Sequence, residues 1–115
     1  MNYLAHLYLA GPDPDARLGN LMGDFVKGPV PEHLPSTVRD GIRLHRRIDR
    51  YTDAHPLFRH SRQRLHPDYR RYGGILIDLF YDHLLAVQWE RHHPQTLDAF
   101  VSDIHRLLRA RWDEL

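Results

Sequence analysis

The sequence predicts an all-α fold, and two kinds of observation support this prediction. Apolar residues recur at helical spacing, most clearly at Leu97, Phe100 and Ile104, while alternating runs of β-branched residues are nearly absent. Prolines stand at most boundaries between the apolar segments, where they end one helix or begin the next. The chain has 115 residues, of which 42% are hydrophobic, so it can bury one core. We therefore predict a compact bundle of five or six helices that forms a single domain over residues 1–115.

The first two helices are expected on either side of a Gly-Pro break. Residues 2–10 form one apolar segment, and Asp13 can cap the next helix with Pro14 at its first position. Gly19 and Gly23 lie four residues apart on one face of this second helix, which permits close approach of another backbone. Its apolar side comprises Leu18, Leu21, Met22, Phe25 and Val26.

The remaining helices follow a proline-rich loop over residues 28–35. Ser36 favours the start of a third helix, and Pro56 favours the start of a fourth. We expect the third helix over residues 36–55, the fourth over 56–65, a turn over 66–74, a fifth helix ending near residue 91 and a sixth beginning at Pro94.

Composition narrows the classes of function. The chain has no cysteine, which excludes disulfides and thiolate metal sites and fits a cytoplasmic protein. No apolar run is long enough to span a bilayer, and the N-terminus does not resemble a signal peptide. The sequence also lacks a Gly-rich phosphate loop, a serine nucleophile elbow and a His-Glu-x-x-His motif.

Charge is distributed unevenly along the chain. The net charge is only +1, but the segment from Arg39 to Arg71 contains ten arginines against four aspartates. This segment could therefore face an acidic partner. A nucleic-acid partner is not expected, because the overall charge is nearly balanced and aromatic residues are rarely interleaved with basic ones.

The stretch "ILIDLFYDHLL" places polar groups inside an apolar helix. Asp78 and Asp82 are spaced i, i+4 on one face, and His83 lies about 100° round the axis. The aspartates share their face with Ile75 and Leu85, so we expect them to point inward. Ionised carboxylates are costly to bury unless they are paired or bound to a metal. The pair indicates either a metal or phosphate site between helices or ion pairs with arginines of the third helix.

A second polar cluster lies in "HRRIDRYTD", where His45, Asp49 and Asp53 follow one another at four-residue spacing. Imidazole and carboxylate together suit Mn, Fe or Zn, or Mg with more oxygen ligands. Arg46 and Arg47 on the same helix offer forked donors for phosphate. The alternative is a solvent-exposed helix in which the aspartates form ordinary ion pairs with arginines. The isoleucines interleaved on this face argue against that alternative.

Two further polar residues occur in apolar surroundings. Asp24 follows a glycine in "GNLMGDFVKG", and His6 lies in "NYLAHLYLA". Either could be a metal ligand. Alternatively, Asp24 could cap a neighbouring helix. His6 could be a core histidine whose ring nitrogens form hydrogen bonds within the protein.

Four segments in this order resemble the bacterial acyl carrier protein phosphodiesterase family: "MNYLAHLYLA", "GNLMGDFVKG", "GIRLHRRIDRYTD" and "LIDLFYDHLL". The resemblance extends to about Trp89. It implies an all-helical fold related to the HD-type metal-dependent phosphohydrolases. It also implies hydrolysis of the phosphodiester that joins 4'-phosphopantetheine to a serine of holo acyl carrier protein, in fatty acid biosynthesis. A divalent metal, expected to be Mn²⁺, and a strongly acidic carrier protein would be the cofactor and the partner.

The resemblance also carries over a set of site residues. The expected metal ligands are Asp24, His45, Asp78, Asp82, His83 and His6. Arg46 and Arg47 would bind phosphate oxygens, and Asp49 would orient a ligand or act as a base. A nucleotide-directed HD-type phosphohydrolase and a non-catalytic helical interaction module are the alternatives. Members of the family continue well past the position of Leu115, so the apolar stripe of the last helix would need another partner. We therefore expect a homodimer or a domain swap through that helix.

Overall fold

Helices account for all the regular secondary structure of the computed structural model, which describes residues 1–115. The all-α prediction is confirmed, and no helix is long and apolar enough to cross a membrane. The elements are α1 (Tyr3–Ala10), α2 (Pro14–Met22), α3 (Ser36–Ala54), α4 (Pro56–Gln63), α5 (Gly73–Val87) and α6 (Leu97–Ala110), with short 3₁₀ helices at Pro67–Tyr72, Trp89–Arg91 and Trp112–Glu114.

Local chemistry explains the helix ends, including those that differ from the sequence expectation. Asp13 caps α2 by accepting a hydrogen bond from the Ala16 amide, as predicted. This helix ends at Met22 rather than continuing to Val26, because the next residues form a turn. The sixth helix begins at Leu97, three residues after the expected start at Pro94, because the Thr96 hydroxyl caps it. The fifth helix ends at Val87, before the expected residue 91, and the turn expected over residues 66–74 contains a 3₁₀ helix.

Helices α2 and α3 form the most extensive packing in the fold. Their backbones approach so closely that a Cβ atom on Gly19 would lie 2.3 Å from the Val38 carbonyl oxygen. A Cβ on Gly41 would lie 2.9 Å from the carbonyl oxygen of Ala16. The close approach predicted from the glycines of α2 is therefore confirmed. The contact buries an apolar cluster of Leu18, Met22, Val38 and Ile42.

A second apolar cluster joins α1, the Trp89 segment and α6. Leu7, Phe100 and Ile104 pack with the buried indole of Trp89, whose ring nitrogen donates a hydrogen bond to the Gln95 carbonyl oxygen at 2.9 Å. The centre of the α6 stripe, Phe100 and Ile104, is thus buried within the chain. Val101 of the predicted stripe remains 36% exposed, but the buried centre of the stripe removes the main reason to expect an association through this helix, and the structure does not support one.

The uncovered apolar face belongs to α5 instead. Only Gly73 and Ile77 of this helix are buried. The side of α5 that carries Asp78 and Asp82 was expected to point inward. Both aspartates are half-buried, but Ile75 on the same side is 64% exposed, so this side faces inward only in part. The large exposed apolar residues of α5 are Ile75, Leu76, Leu79, Phe80, Leu84 and Val87.

Asp82 joins α5 to the N-terminus of α1. Its two carboxylate oxygens accept hydrogen bonds from the backbone amides of Leu4 and Ala5, each at 2.9 Å. The residue that precedes α1, Asn2, makes no side-chain cap, so Asp82 supplies this function from another helix. A carboxylate at a helix N-terminus is also favoured by the helix dipole.

Replacing Gly19 with Ala is expected to lower the free energy of unfolding by about 1–3 kcal/mol, because the added methyl group has no space against α3. Gly74→Ala is the matched control, since a Cβ there meets nothing within 4 Å. Urea unfolding of both variants tests this contact. A Gly19→Ala protein as stable as the wild type would contradict it.

Candidate metal centre

Two buried histidines from different helices form the centre of the candidate site. The rings of His6 in α1 and His45 in α3 stack with centroids 3.7 Å apart and planes 14° apart. These residues are 2% and 3% exposed, respectively. Each ring contributes an apolar face to the helix packing and leaves its nitrogens for polar contacts.

The contact between α2 and α3 fixes the position and tautomer of His45. A Cβ on Gly23 would lie 2.3 Å from the imidazole Cγ of His45, so only glycine leaves room for the ring here. Its Nδ1 lies 2.8 Å from the Asn20 carbonyl oxygen, which can only accept a hydrogen bond. Nδ1 therefore carries the proton and donates, which leaves Nε2 of the neutral ring free as an electron-pair donor.

Asp49 connects the two histidines. It lies one helical turn after His45, and its Oδ2 is 3.3 Å from Nε2 of that residue. Its Oδ1 is 3.0 Å from Nε2 of His6. The three side chains bring a possible ligand atom each within 4.8 Å of one another.

Two further carboxylates border the cluster. Asp24, in the turn after α2, places Oδ1 at 3.2 Å from Nε2 of His45. Asp78 of α5 lies on the other side, and its Oδ1 is 3.2 Å from the amino nitrogen of Met1. The same amino group is 3.2 Å from Oδ1 of Asp49. A positive charge thus lies between two carboxylates of the cluster.

A cleft of about 250 Å³ opens beside these groups. Its wall includes Asp53, which the spacing on α3 had already grouped with His45 and Asp49. Met1 and Asn2 also line the cleft. They lie in the quoted segment "MNYLAHLYLA" but were not among the predicted site residues, because their position follows from the docking of α1. The lining residues are Met1, Asn2, Asp24, Asp49, Asp53, Ile75, Asp78 and Leu79.

The charges in the cluster shift its pKa values in opposite directions. Burial alone would raise the pKa of Asp49, but hydrogen bonds from His45 and His6 outweigh it and hold that pKa far below its usual range. Burial opposes ionisation of His45 as well, yet Asp49 and Asp24 raise its pKa. The pKa of Asp78 is raised by burial and by the nearby carboxylates, against the opposing charge of the Met1 ammonium.

The donor set fits a divalent metal. Imidazole nitrogens with carboxylate oxygens suit Mn²⁺, Fe²⁺ or Zn²⁺, and the free Nε2 of His45 is oriented by its partner on the far side of the ring. A buried nitrogen also remains unsatisfied, since Nδ1 of His6 has no hydrogen-bond partner. Unpaired buried polar atoms are uncommon in folded proteins and often mark functional positions.

The structure does not bring every predicted site residue into the cluster. Asp82 uses both oxygens to cap α1, and His83 is exposed, so this geometry does not support their predicted ligand roles. Arg46 donates hydrogen bonds from Nη2 to the carbonyl oxygens of Val26 and Gly28, at 3.2 and 2.8 Å. It therefore braces the loop that follows Asp24, while Arg47 is exposed and has no side-chain partner.

Comparison with known proteins assigns the chain to a family. The family model for acyl carrier protein phosphodiesterase matches residues 1–115. The chain belongs to this family. A protein of that name from Photorhabdus laumondii is 43% identical over 102 residues, which is 88% of this chain and 52% of the relative. Family members from Yersinia pestis and Salmonella agona are each 42% identical, over 88% and 91% of this chain and 53% and 55% of their own lengths.

The chain thus spans about half the length of the curated relatives it matches. The resemblance of the four sequence segments to this family is confirmed. No solved structure matches the chain, so the expected relation to HD-type phosphohydrolases stays a prediction.

Metal affinity is expected to fall as the pH is lowered from 8 to 6. A metal competes with protons for Nε2 of His45, and because the pKa of this residue is raised above its ordinary value of 6.5, the proton is the stronger competitor at pH 6. Below the His45 pKa, the apparent affinity for Mn²⁺ should fall roughly tenfold per pH unit for one displaced proton. Calorimetric titration with Mn²⁺ tests this, with circular dichroism at each pH as the control for folding. A pH-independent affinity would exclude His45 as a ligand.

Two aspartate variants separate capping from metal binding. Asp82→Asn should lower the free energy of unfolding by about 1–3 kcal/mol, because it weakens charge-assisted hydrogen bonds to two amides, and it should change Mn²⁺ affinity little. Asp49→Asn should instead weaken Mn²⁺ binding roughly tenfold or more. Thermal unfolding and calorimetric titration of both proteins give the comparison, and the reverse pattern would assign the ligand role to Asp82.

Proposed function

We propose that this chain carries the metal-binding part of an enzyme that removes 4'-phosphopantetheine from holo acyl carrier protein. One observation supports the proposal above all others. In a chain of this family, His6, His45 and Asp49 converge from two helices, with Asp24 and Asp78 beside them. The products would be apo carrier protein and free phosphopantetheine, and the reaction belongs with fatty acid biosynthesis in the cytoplasm.

The reaction is hydrolysis of a phosphodiester. A water oxygen forms a new bond to phosphorus, the bond between phosphorus and the serine oxygen breaks, and the serine oxygen takes up a proton. Bound Mn²⁺ would lower the pKa of water and offset negative charge on the phosphoryl oxygens. His6, His45 and Asp49 would hold the ion, and Asp24 and Asp78 would complete its surroundings.

The residues of the chain contribute orientation and charge. Asp49 stays ionised across the physiological pH range because its pKa is so low, which suits a ligand or an orienting group better than a proton acceptor. Arg47 is exposed on the same helix but lines a separate groove with Arg43 and Arg50 rather than the metal cleft, so its guanidinium would contact a part of the substrate outside the cleft. Arg46 keeps further guanidinium donors beside the pair that holds the loop after Asp24.

Incubation with holo acyl carrier protein and Mn²⁺ should release phosphopantetheine, detected as the matching mass loss of the carrier protein. Asp49→Asn should reduce the rate at least a hundredfold, whereas Asp98→Asn, an exposed change on α6, should leave it unchanged. Both the chain alone and the chain fused to the C-terminal half of the Photorhabdus laumondii relative should be assayed. Metal-independent release, or no release by either form, would contradict the proposal.

A further inference from the structure

Three arginines of α4 and the following 3₁₀ helix form a basic groove on the surface. Arg59 and Arg62 of α4 and Arg70 of the following 3₁₀ helix line an open depression of about 340 Å³ together with Gln63. No apolar residue lines it. We call these four residues the arginine groove.

The guanidinium groups of this groove have no partner within the chain. None of the three arginines takes part in an ion pair or a side-chain hydrogen bond. The one acidic residue between Pro56 and Tyr72 is Asp68, which lies 3.4 Å from His66. Grouped like charges repel one another, so the groove favours an anionic ligand.

The arginines of α3 are more fully engaged. Arg43 pairs with Asp40 at 3.0 Å, and Arg46 donates to two backbone carbonyls. A groove of about 490 Å³ lined by α3 arginines therefore has only part of its charge free. The arginine groove keeps all three guanidiniums free, and their planar forks match carboxylates in pairs.

Helix α5 connects the arginine groove to the metal cleft. A Cβ on Gly73 would lie 3.6 Å from Nε of Arg62, and Ile75, two residues later on α5, lines the cleft. Asp53 lines the cleft and lies three residues before α4 begins, so Arg59 follows within one turn of that helix. On the other side, Ile75 lines the cleft five residues after Arg70.

We propose that the arginine groove docks a carboxylate-rich surface of the acyl carrier protein beside the metal cleft. This inference rests on the proposed function, in which the bond that breaks joins the phosphate directly to a serine of the carrier protein. The carrier surface around that serine must therefore reach the mouth of the cleft. The groove borders α5, which also lines the cleft, and it supplies the complementary charge from guanidinium groups that form no ion pair within the chain.

Binding of apo acyl carrier protein, which lacks the prosthetic group, tests docking without hydrolysis. Fluorescence anisotropy of labelled apo carrier protein is measured with the wild type and with the double variant Arg59→Gln/Arg62→Gln. The variant should bind at least tenfold more weakly at low salt, and the salt dependence of its affinity should be shallower. Arg106→Gln/Arg109→Gln removes the same charge from exposed positions of α6 and should change the affinity less than twofold.

A third pair, Arg43→Gln/Arg50→Gln, tests the α3 surface. Equal losses from all three pairs would show that net charge alone attracts the carrier protein, and a loss only from the α3 pair would place docking there. Either result overturns the proposal, as does a wild type that does not bind apo carrier protein. Phosphopantetheine release is scored separately, so lost catalysis with intact docking would reject the proposed function and leave the docking site standing.

Discussion

The contact between α2 and α3 is the constraint on which the candidate site depends. Gly19 and Gly41 let the two backbones approach, and Gly23 leaves room for the ring of His45. The ring then reaches the Asn20 carbonyl, which fixes its tautomer and turns Nε2 toward the carboxylates. A wider spacing of these helices would remove the hydrogen bond that orients the ring, and with it the geometry of the whole cluster.

Charge balance gives the cluster its chemical character. Asp49 of α3 lies against both buried imidazoles, and Asp24 in the turn after α2 lies against His45. Asp78 of α5 lies against the amino group of Met1. Such a group of acids is stable only when positive charge or hydrogen-bond donors compensate it. In the fold, the amino group of Met1 supplies positive charge, and, against the opposing effect of burial, Asp49 and Asp24 raise the pKa of His45, which favours its charged form. A divalent cation could supply the same charge in one ion.

Much of this arrangement could be predicted from local patterns. The four-residue spacing of His45 and Asp49 placed them on one face, and the spacing of the α2 glycines indicated close helix packing. The stacking of His6 on His45 could not be predicted, because it depends on how α1 docks. The role of Asp82 was equally hidden, since a metal ligand and a distant helix cap both require a carboxylate on that face.

The fifth helix shows why burial was harder to predict than helix position. A helix with apolar residues on most sides is usually buried, yet Ile75, Phe80 and Val87 are exposed here. The sequence pattern correctly placed a helix but not its neighbours. For α6, burial within the chain was underestimated. Trp89 and Leu7 pack against Phe100 and Ile104, which were expected to need an external partner.

The most direct test of the metal centre is a crystal of the protein grown with Mn²⁺ and measured for anomalous scattering at the manganese absorption edge. The account predicts one strong peak in direct contact with Nε2 of His45 and a carboxylate oxygen of Asp49. A well-ordered crystal with no peak at this position, or with a peak only at exposed acids elsewhere, would contradict it.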